Sequence, residues 1–152
     1  MRLDRFTIKS QEALEAAQKL AASSRNPQTE DAHLMLVLLE QEGSLVDPVL
    51  RKVGADPESL RRTVNDTVGA LPVLAEGTEP ATGASLIDAL RRAEESSTEM
   101  GDAYISTEHI LVGLASGSSE TAKALTGAGA TADSLRAAVA EVRGPHKVTD
   151  QN

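Results

Sequence analysis

The sequence predicts an all-α fold of eight helices, arranged as a pseudo-two-fold tandem repeat of two four-helix units. The first observation is composition, because a chain with one Phe, one Tyr and no Trp must build its core mainly from aliphatic residues. Such a mix, with few β-branched runs, favours packed helices over a sheet. The other two observations are the helical spacing of apolar residues and the similarity between the two halves of the chain.

The internal repeat is visible in two pairs of segments. His33-Leu34-Met35 matches His109-Ile110-Leu111, and GADPESLRRTV at 54–64 matches GATADSLRAAV at 129–139. The offset falls by one residue between the two pairs, and such a change in a loop between helices costs little. Two copies are too few for an open solenoid, so we expect the units to pack on each other as a closed globule.

Each helix of the first unit is predicted from its apolar spacing and its ends. We predict helices over residues 7–23, 31–41, 44–53 and 56–70. The helix over 31–41 is apolar almost all the way round, which is typical of a central, buried helix. Asp56 followed by Pro57 is an N-cap with proline at the first helical position, and Gly54 is a natural helix end.

The second unit is organised around residues 103–114, AYISTEHILVGL. This stretch predicts an entry loop, an N-cap at Ser106 or Thr107 and a compact apolar helix. Glu108 then lies in the first turn, where the helix dipole favours a carboxylate.

Two segments carry no helical period. The stretch LPVLAEGTEPATGA at 71–84 holds two prolines and two glycines and is predicted to be a linker. The final GPHKVTDQN is predicted to be a linker or a frayed end. We therefore predict a domain over residues 1–145. Repeat one covers about 6–70 and repeat two about 85–144, and residues 146–152 form a tail or the start of a linker to a further module.

Charge and composition exclude several function classes. The net charge of −8 argues against a nucleic-acid partner and against anionic membranes. The longest apolar run, 34–39, is too short to span a membrane, and the charged start MRLDRFTIKS lacks the apolar region of a signal peptide. The chain has no cysteine, which fits the cytoplasm. We therefore expect a cytoplasmic protein without nucleic-acid or membrane partners.

No catalytic or cofactor motif stands out. The phosphate-loop pattern G-x-x-x-x-G-K-[ST] is absent, as are H-E-x-x-H and a nucleophile elbow. We therefore predict no catalytic residue, no metal and no cofactor in this chain. His33 and His109 occupy equivalent positions, each beside a carboxylate, and are interpreted as histidines at helix starts. A metal or enzymatic role for this pair stays open as a third hypothesis, which calorimetry with zinc would test.

An acidic segment precedes and enters the helix at 107–114. Its carboxylates include Asp102 and Glu108, and a solvated helix face is the ordinary explanation for them. Tyr104 lies among these charges in a loop. An aromatic residue at a polar rim is a plausible contact for an extended chain.

Three segments carry a family resemblance: MRLDRFTIKSQEAL, EDAHLMLVLLEQEG and GDAYISTEHILVGLA. They resemble the N-terminal domain of Clp-type AAA+ unfoldases, and MRLDRFT together with RGPHKVTDQN is most similar to the ClpB disaggregases. The resemblance covers nearly the whole chain. It implies an all-helical domain of two pseudo-symmetric repeats without activity of its own, tethered flexibly to a hexameric, ATP-driven chaperone of the stress response.

The resemblance also implies a substrate-binding surface. A polar cluster that matters for substrate handling in relatives matches Thr7, Asp102 and Glu108 in this sequence. We add Tyr104 and Ile105 as candidate contacts, which gives five candidate substrate-binding residues.

An adjacent groove is lined by leucines in relatives. At the aligned positions this sequence has Arg92, Ser96 and His109. The apolar groove is therefore expected either to be absent or to be displaced toward Leu90, Tyr104 and Ile105.

The leading hypothesis is a substrate-recognition domain of a protein disaggregase, which engages unfolded or aggregated polypeptide for threading by the hexameric ATPase ring. Both ATPase modules of the family are absent from this sequence, so the chain itself is not predicted to be an enzyme. The alternative is a free-standing Clp-repeat protein that acts as an adaptor or regulator of another Clp unfoldase. Adaptor proteins are further possible partners in the leading hypothesis.

Overall fold

Eight α-helices make up the described part of the protein, residues 2–152 of a computed structural model. They are α1 (Ile8–Ser23), α2 (Asp31–Glu40), α3 (Val46–Lys52), α4 (Pro57–Gly69), α5 (Ala84–Glu99), α6 (Thr107–Ser116), α7 (Glu120–Gly127) and α8 (Ala132–Arg143). A 3₁₀ turn at Leu3–Arg5 precedes α1. The predicted all-α class and the eight helices are confirmed. The predicted domain start at residue 1 lies outside the described residues.

Side-chain caps set several helix starts. Thr7 is the N-cap of α1, and its Oγ1 accepts a hydrogen bond from the Ser10 amide at 3.2 Å. Asp56 caps α4, with Pro57 in the first turn, as its sequence predicts. Asp56 Oδ1 accepts from the Glu58 amide at 3.2 Å, which satisfies one of the free N–H groups of that helix end.

The core lies around α2 and α6, which touch each other at the centre of the molecule. Leu34 and Met35 of α2 and Ile110 and Leu111 of α6 are completely buried. Each of the two helices also contacts helices of both units, so the units share one core. The prediction of α2 as a central, buried helix is confirmed.

Two short parallel pairings join the units. β1 (Gln28–Thr29), directly before α2, pairs with β2 (Ala81–Thr82), just before α5. In the same way Phe6, before α1, pairs with Ile105, before α6. Each unit therefore pairs the segment before its own first helix with the segment before the second helix of the other unit. These strands are two residues long or less, so no alternating pattern announces them in the sequence.

The segment 70–80 lies against the loop between α1 and α2. The Leu74 amide donates to the Arg25 carbonyl at 2.8 Å, and Arg25 Nη1 donates to the Ala75 carbonyl at 3.1 Å. Asn26 Nδ2 donates to the Pro72 carbonyl at 3.0 Å. This connection is therefore anchored to the first unit before it enters β2.

The tail 144–152 is docked and is therefore not a frayed end, whereas a linker to a further module stays a prediction. The Ala103 amide donates to the Val148 carbonyl at 2.9 Å, and the Ile8 amide donates to the Gln151 carbonyl at 2.7 Å. Lys147 Nζ donates to the Met100 carbonyl at 2.6 Å. The tail is not helical, and its hydrogen bonds reach the start of α1 in one unit and the loop before α6 in the other.

Candidate functional site

A surface crevice of about 320 Å³ lies where the N-termini of α1 and α6 meet the tail. We call it the α1–α6 crevice. Its lining comprises Thr7, Lys9, Gly43, Ser44, Leu45, Ser106, Thr107, Glu108, His146, Lys147, Val148, Thr149, Asp150 and Asn152. Two of the five candidate residues, Thr7 and Glu108, are therefore brought together at one site.

Thr7 and Glu108 present different chemistry to this crevice. The Thr7 hydroxyl is engaged locally, since it caps α1 and donates to Ser10 Oγ at 2.9 Å. Glu108 lies in the first turn of α6 with its side chain 6% exposed. Within residues 2–152 its carboxylate makes no hydrogen bond, and the Arg143 Nε lies 3.9 Å from its Oε2. The Glu108 carboxylate oxygens can therefore accept hydrogen bonds from a molecule bound in the crevice.

Asp102 lies beneath this surface and not on it. Its side chain is fully buried and accepts from Arg143 Nη2 at 2.6 Å, from His109 Nε2 at 2.7 Å and from the Val148 amide at 3.0 Å. Burial opposes ionisation, but these three hydrogen bonds outweigh it and hold the pKa of the Asp102 carboxyl below its usual range. While the tail is docked, the Asp102 oxygens are fully engaged and are not available to a second molecule, so its role as a direct contact stays a prediction.

Asp102 instead joins three parts of the chain. Arg143 comes from the end of α8, His109 from the first turn of α6 and Val148 from the tail. The Arg143 side chain is only 5% exposed, so this is a buried ion pair. Removing one partner of such a pair leaves an uncompensated charge, which is strongly destabilising. Asp102 therefore holds the first turn of α6, the end of α8 and the docked tail in place relative to one another.

The two central histidines fix the starts of α2 and α6 in the same manner. His109 Nδ1 accepts from the Ser106 amide at 2.9 Å, so Nε2 carries the proton that is donated to Asp102. His33 Nδ1 accepts from the Glu30 amide at 2.8 Å and its Nε2 pairs with Asn26 Oδ1 at 2.8 Å. The interpretation of both histidines as helix-start residues is confirmed.

The comparison with known proteins decides the family. Residues 5–128 match the family described as "Clp repeat (R) N-terminal domain". The chain belongs to this family. A curated relative, the chaperone protein ClpB of Mycobacterium tuberculosis, is 40% identical over 144 residues, which are 94% of this chain and 17% of the relative. The chain thus spans about a sixth of the length of such relatives.

Solved structures of Clp N-terminal domains share the fold. The N-terminal domain of Hsp104 from Candida albicans superposes with a TM-score of 0.83 at 18% identity, over 97% of each chain. A complex of the ClpV N-domain with a VipB peptide superposes with a TM-score of 0.69 at 23% identity, over 91% of this chain and 86% of the other. The pseudo-two-fold arrangement of two four-helix units is consistent with this fold.

Ile105 and Tyr104 take different positions in this Clp N-terminal domain. Ile105 is fully buried in the core, because it forms the parallel bridge to Phe6 between the units. Its candidate role as a contact is therefore wrong, since no side-chain surface is left for a partner. Tyr104 is half-buried in the loop before α6, next to the α1–α6 crevice in sequence but not in its lining.

The displaced apolar groove predicted near Leu90 is not formed. Leu90 and His109 are buried in the core, and Ser96 is buried with no hydrogen-bond partner for its Oγ. Arg92 folds back along α5 to Asp88 at 2.8 Å. Neither Leu90 nor His109 is therefore available to a substrate, although Ile87 of the same helix α5 is 52% exposed.

Three residues of the site were missed from the sequence: Arg143, Val148 and Lys9. Arg143 has a detectable signal in the repeat alignment, because repeat one has the neutral Asn26 where repeat two has Asp102. A buried Asp requires a cation that a buried Asn does not require. Val148 and Lys9 carry no comparable signal, since neither belongs to a motif.

Among residues 2–152 no group of three or more His, Cys, Asp or Glu side chains is arranged to hold a metal ion. Both ring nitrogens of His33 and of His109 are engaged by protein atoms. Over the same range no helix combines the length and the apolar character that crossing a bilayer requires.

Proposed function

We propose that this Clp N-terminal domain engages unfolded or aggregated polypeptide for a ClpB-type disaggregase. The α1–α6 crevice carries this proposal, because it presents the accepting carboxylate of Glu108 in an open site at the junction of the two units. The similarity to ClpB chaperones over 94% of the chain supports the same assignment.

The chemistry of the crevice suits an extended chain better than a small ligand. An extended polypeptide offers main-chain N–H groups and basic side chains, and Glu108 accepts from either. Lys9 at the rim donates to carbonyl or carboxylate oxygens, although its Nζ contacts the Glu42 carbonyl at 2.7 Å in the free domain. A shallow, polar site of this kind accepts many sequences at low affinity.

The domain contributes binding and not chemistry in this proposal. The chain contains no phosphate-loop motif, so ATP hydrolysis belongs to the ATPase modules of a hexameric ring, as the family resemblance implies. Flexible tethering to the ring would raise the local concentration of bound substrate near the threading pore. We place this activity in the cytoplasm.

The substitution Glu108→Gln tests the proposal. Gln keeps the shape of the side chain and removes its charge, so we expect binding of an unfolded, basic probe to weaken about fivefold to tenfold. The probe is reduced lysozyme with its thiols blocked by iodoacetamide, and fluorescence anisotropy measures the affinity. Glu76→Gln, an exposed carboxylate in the segment 70–80, is the matched control and should not change the affinity. Equal affinity of the Glu108→Gln variant and the unchanged domain would contradict the proposal.

Docking of a folded adaptor is the second candidate function. A groove of about 500 Å³ between α1, α2 and α4 has Leu20, Leu36 and Val37 at its base and charged residues at its rim. A groove of this shape fits a helix or loop of a folded partner better than the α1–α6 crevice does. Chemical-shift changes confined to Leu20 and Val37 on addition of a partner would favour this role over substrate binding.

A further inference from the structure

The docked tail is itself a non-helical peptide bound at the α1–α6 crevice. Residues 146–150 and 152 line the crevice beside Thr7 and Glu108. The tail therefore shows which contacts this surface makes with a non-helical polypeptide.

Three hydrogen bonds between the tail and the domain use main-chain atoms of the tail. The Val148 carbonyl accepts from the Ala103 amide at 2.9 Å, and the Gln151 carbonyl accepts from the Ile8 amide at 2.7 Å. The Val148 amide donates to Asp102 Oδ1 at 3.0 Å. Main-chain contacts of this kind do not depend on the sequence of the bound segment.

One apolar side chain anchors the tail. Val148 is 9% exposed, whereas its neighbours Lys147 and Thr149 are exposed. Two polar side chains add hydrogen bonds: Lys147 Nζ donates to the Met100 carbonyl at 2.6 Å, and Gln151 Nε2 donates to the Asp4 and Phe6 carbonyls at 3.1 and 3.2 Å. Another segment with a Val-sized side chain can form the three main-chain hydrogen bonds and fill the apolar position.

We propose that residues 146–151 occupy the position of an extended substrate segment, and that unfolded polypeptide binds by displacing them. The proposal rests on the proposed function and defines its substrate class: an extended segment that supplies two carbonyls, one amide and one small apolar side chain. The exchange costs little in hydrogen bonding, because the incoming segment forms the same hydrogen bonds to the Ala103 amide, the Ile8 amide and the Asp102 carboxylate.

The tethered tail then lowers the apparent affinity of the domain for its substrate. The affinity of a site that is open for only a fraction of the time is reduced by that fraction. A tail that is docked nine-tenths of the time weakens binding about tenfold. Release of the tail should therefore strengthen substrate binding rather than weaken it.

The substitution Val148→Asp in the full chain releases the tail, because it places a charge where an apolar anchor was buried. We expect the affinity for the blocked, unfolded lysozyme to rise about tenfold or more. Val73→Asp is the matched control, since it makes the same chemical change at a side chain that is 59% exposed in the segment 70–80. Val148→Gly, which removes the anchor without adding charge, is the second variant and should give the same direction of change.

Amide hydrogen exchange gives a readout that a general loss of structure would not produce. In the Val148→Asp chain the Ala103 and Ile8 amides should exchange fast, while amides of α2 and α6 stay protected. Saturation with unfolded lysozyme should restore protection at Ala103 and Ile8.

Three outcomes would overturn the inference. Unchanged or weaker binding in both Val148 variants, with α2 and α6 still protected, contradicts displacement while leaving the proposed function intact. Binding without restored protection at Ala103 and Ile8 places the substrate elsewhere. Absence of binding by every variant and by the unchanged domain removes the proposed function together with this inference.

Discussion

The contrast between Asp102 and Asn26 shows how a single residue differentiates the two repeats. Both residues accept or share a hydrogen bond with the Nε2 of the equivalent histidine, at 2.7 Å for His109 and 2.8 Å for His33. Asn26 is neutral and its amide also reaches the Pro72 carbonyl. Asp102 is charged and therefore recruits Arg143 from α8 and the main chain of the tail. One charge thus ties α6, α8 and the tail together in the second repeat only.

The variant Asp102→Asn tests this role by copying repeat one into repeat two. We expect the free energy of unfolding to fall by about 3 kcal/mol, because Arg143 keeps its buried position and loses its closer counter-charge, which leaves only Glu108 Oε2 at 3.9 Å. Urea denaturation measures the change. The control is Asp133→Asn, whose side chain is 97% exposed and should shift stability by less than about 0.5 kcal/mol. A variant as stable as the unchanged domain would contradict the structural role of the ion pair.

The two buried histidines predict how stability depends on pH. Burial lowers the pKa of His33 and of His109, so the unfolded chain binds more protons than the folded one just below pH 6.5. The stability that they contribute is present above about pH 6.5 and is lost as the pH falls toward the lowered values. The stability that the Asp102 carboxylate contributes is lost only in more acidic solution, because its pKa lies below the usual aspartate value.

Urea denaturation at pH 7, 6 and 5 measures this dependence. We expect the free energy of unfolding to decrease by up to about 1.4 kcal/mol per pH unit for each histidine. A free energy of unfolding that stays constant from pH 7 to pH 5 would contradict neutral, buried histidines.

At the scale of elements, the close approach of α5 and α6 depends on Gly113. A Cβ at this position would meet the Ala89 carbonyl and lie 2.8 Å from the Ala93 amide nitrogen. The equivalent residue in repeat one is Val37, so α1 and α2 do not need so close an approach. The two repeats therefore differ in how tightly their first two helices pack.

The substitution Gly113→Val copies the side chain of repeat one into this contact. We expect a loss of about 2 kcal/mol or more, because backbone atoms of α5 must move to accept the side chain. Gly127→Ala is the control, since a Cβ at this position in α7 has nothing within 4 Å and a helical Gly→Ala change should stabilise by about 0.5–1 kcal/mol. Thermal unfolding of both variants measures the difference. If the Gly113→Val variant is as stable as the unchanged domain, α5 and α6 can separate without cost and the close approach is not required.

Helices were predictable from the sequence because their signals are local. The Asp56-Pro57 start and the apolar run of α2 each lie within a few neighbouring residues, and both are present as predicted. The exchanged pairings of Phe6 with Ile105 and of β1 with β2 depend on residues far apart in the chain. Pairings as short as these leave no periodicity, so they emerge only from the tertiary structure.

The candidate site was predictable in part for the same reason. The resemblance selected Thr7 and Glu108, which do line one crevice, because a motif identifies residues by position. It could not distinguish surface from interior, so Asp102 and Ile105 were taken as contacts although both side chains are buried. The docking of Val148 was not predictable, since a tail without periodicity carries no sign of its binding surface.

At the scale of the whole molecule, the pseudo-two-fold axis produces two related crevices of different character. The counterpart of the α1–α6 crevice, of about 280 Å³, contains Asp31, Ser85 and Ser119. Asp31 accepts from Ser119 Oγ at 2.5 Å and from Thr121 Oγ1 at 3.2 Å, so its carboxylate is already satisfied across the junction.

The residues equivalent to Thr7 and Glu108 in this counterpart are Gly83 and Ala32. Among residues 2–152, Glu108 therefore gives the α1–α6 crevice a carboxylate that makes no hydrogen bond, whereas the Asp31 carboxylate of the counterpart makes two. The duplication supplied the scaffold, and the differences between the repeats confine the candidate substrate site to one end of the molecule.

The proposed function depends on the binding of unfolded polypeptide at the α1–α6 crevice. The most direct test is a titration of the isotope-labelled domain with the blocked, unfolded lysozyme, followed through the amide chemical shifts of every residue. We expect shifts at Thr7, Lys9 and Glu108 and in the tail around Val148, with the groove at Leu20 and Val37 unchanged. Shifts confined to that groove, or none at millimolar ligand, would contradict the proposed function.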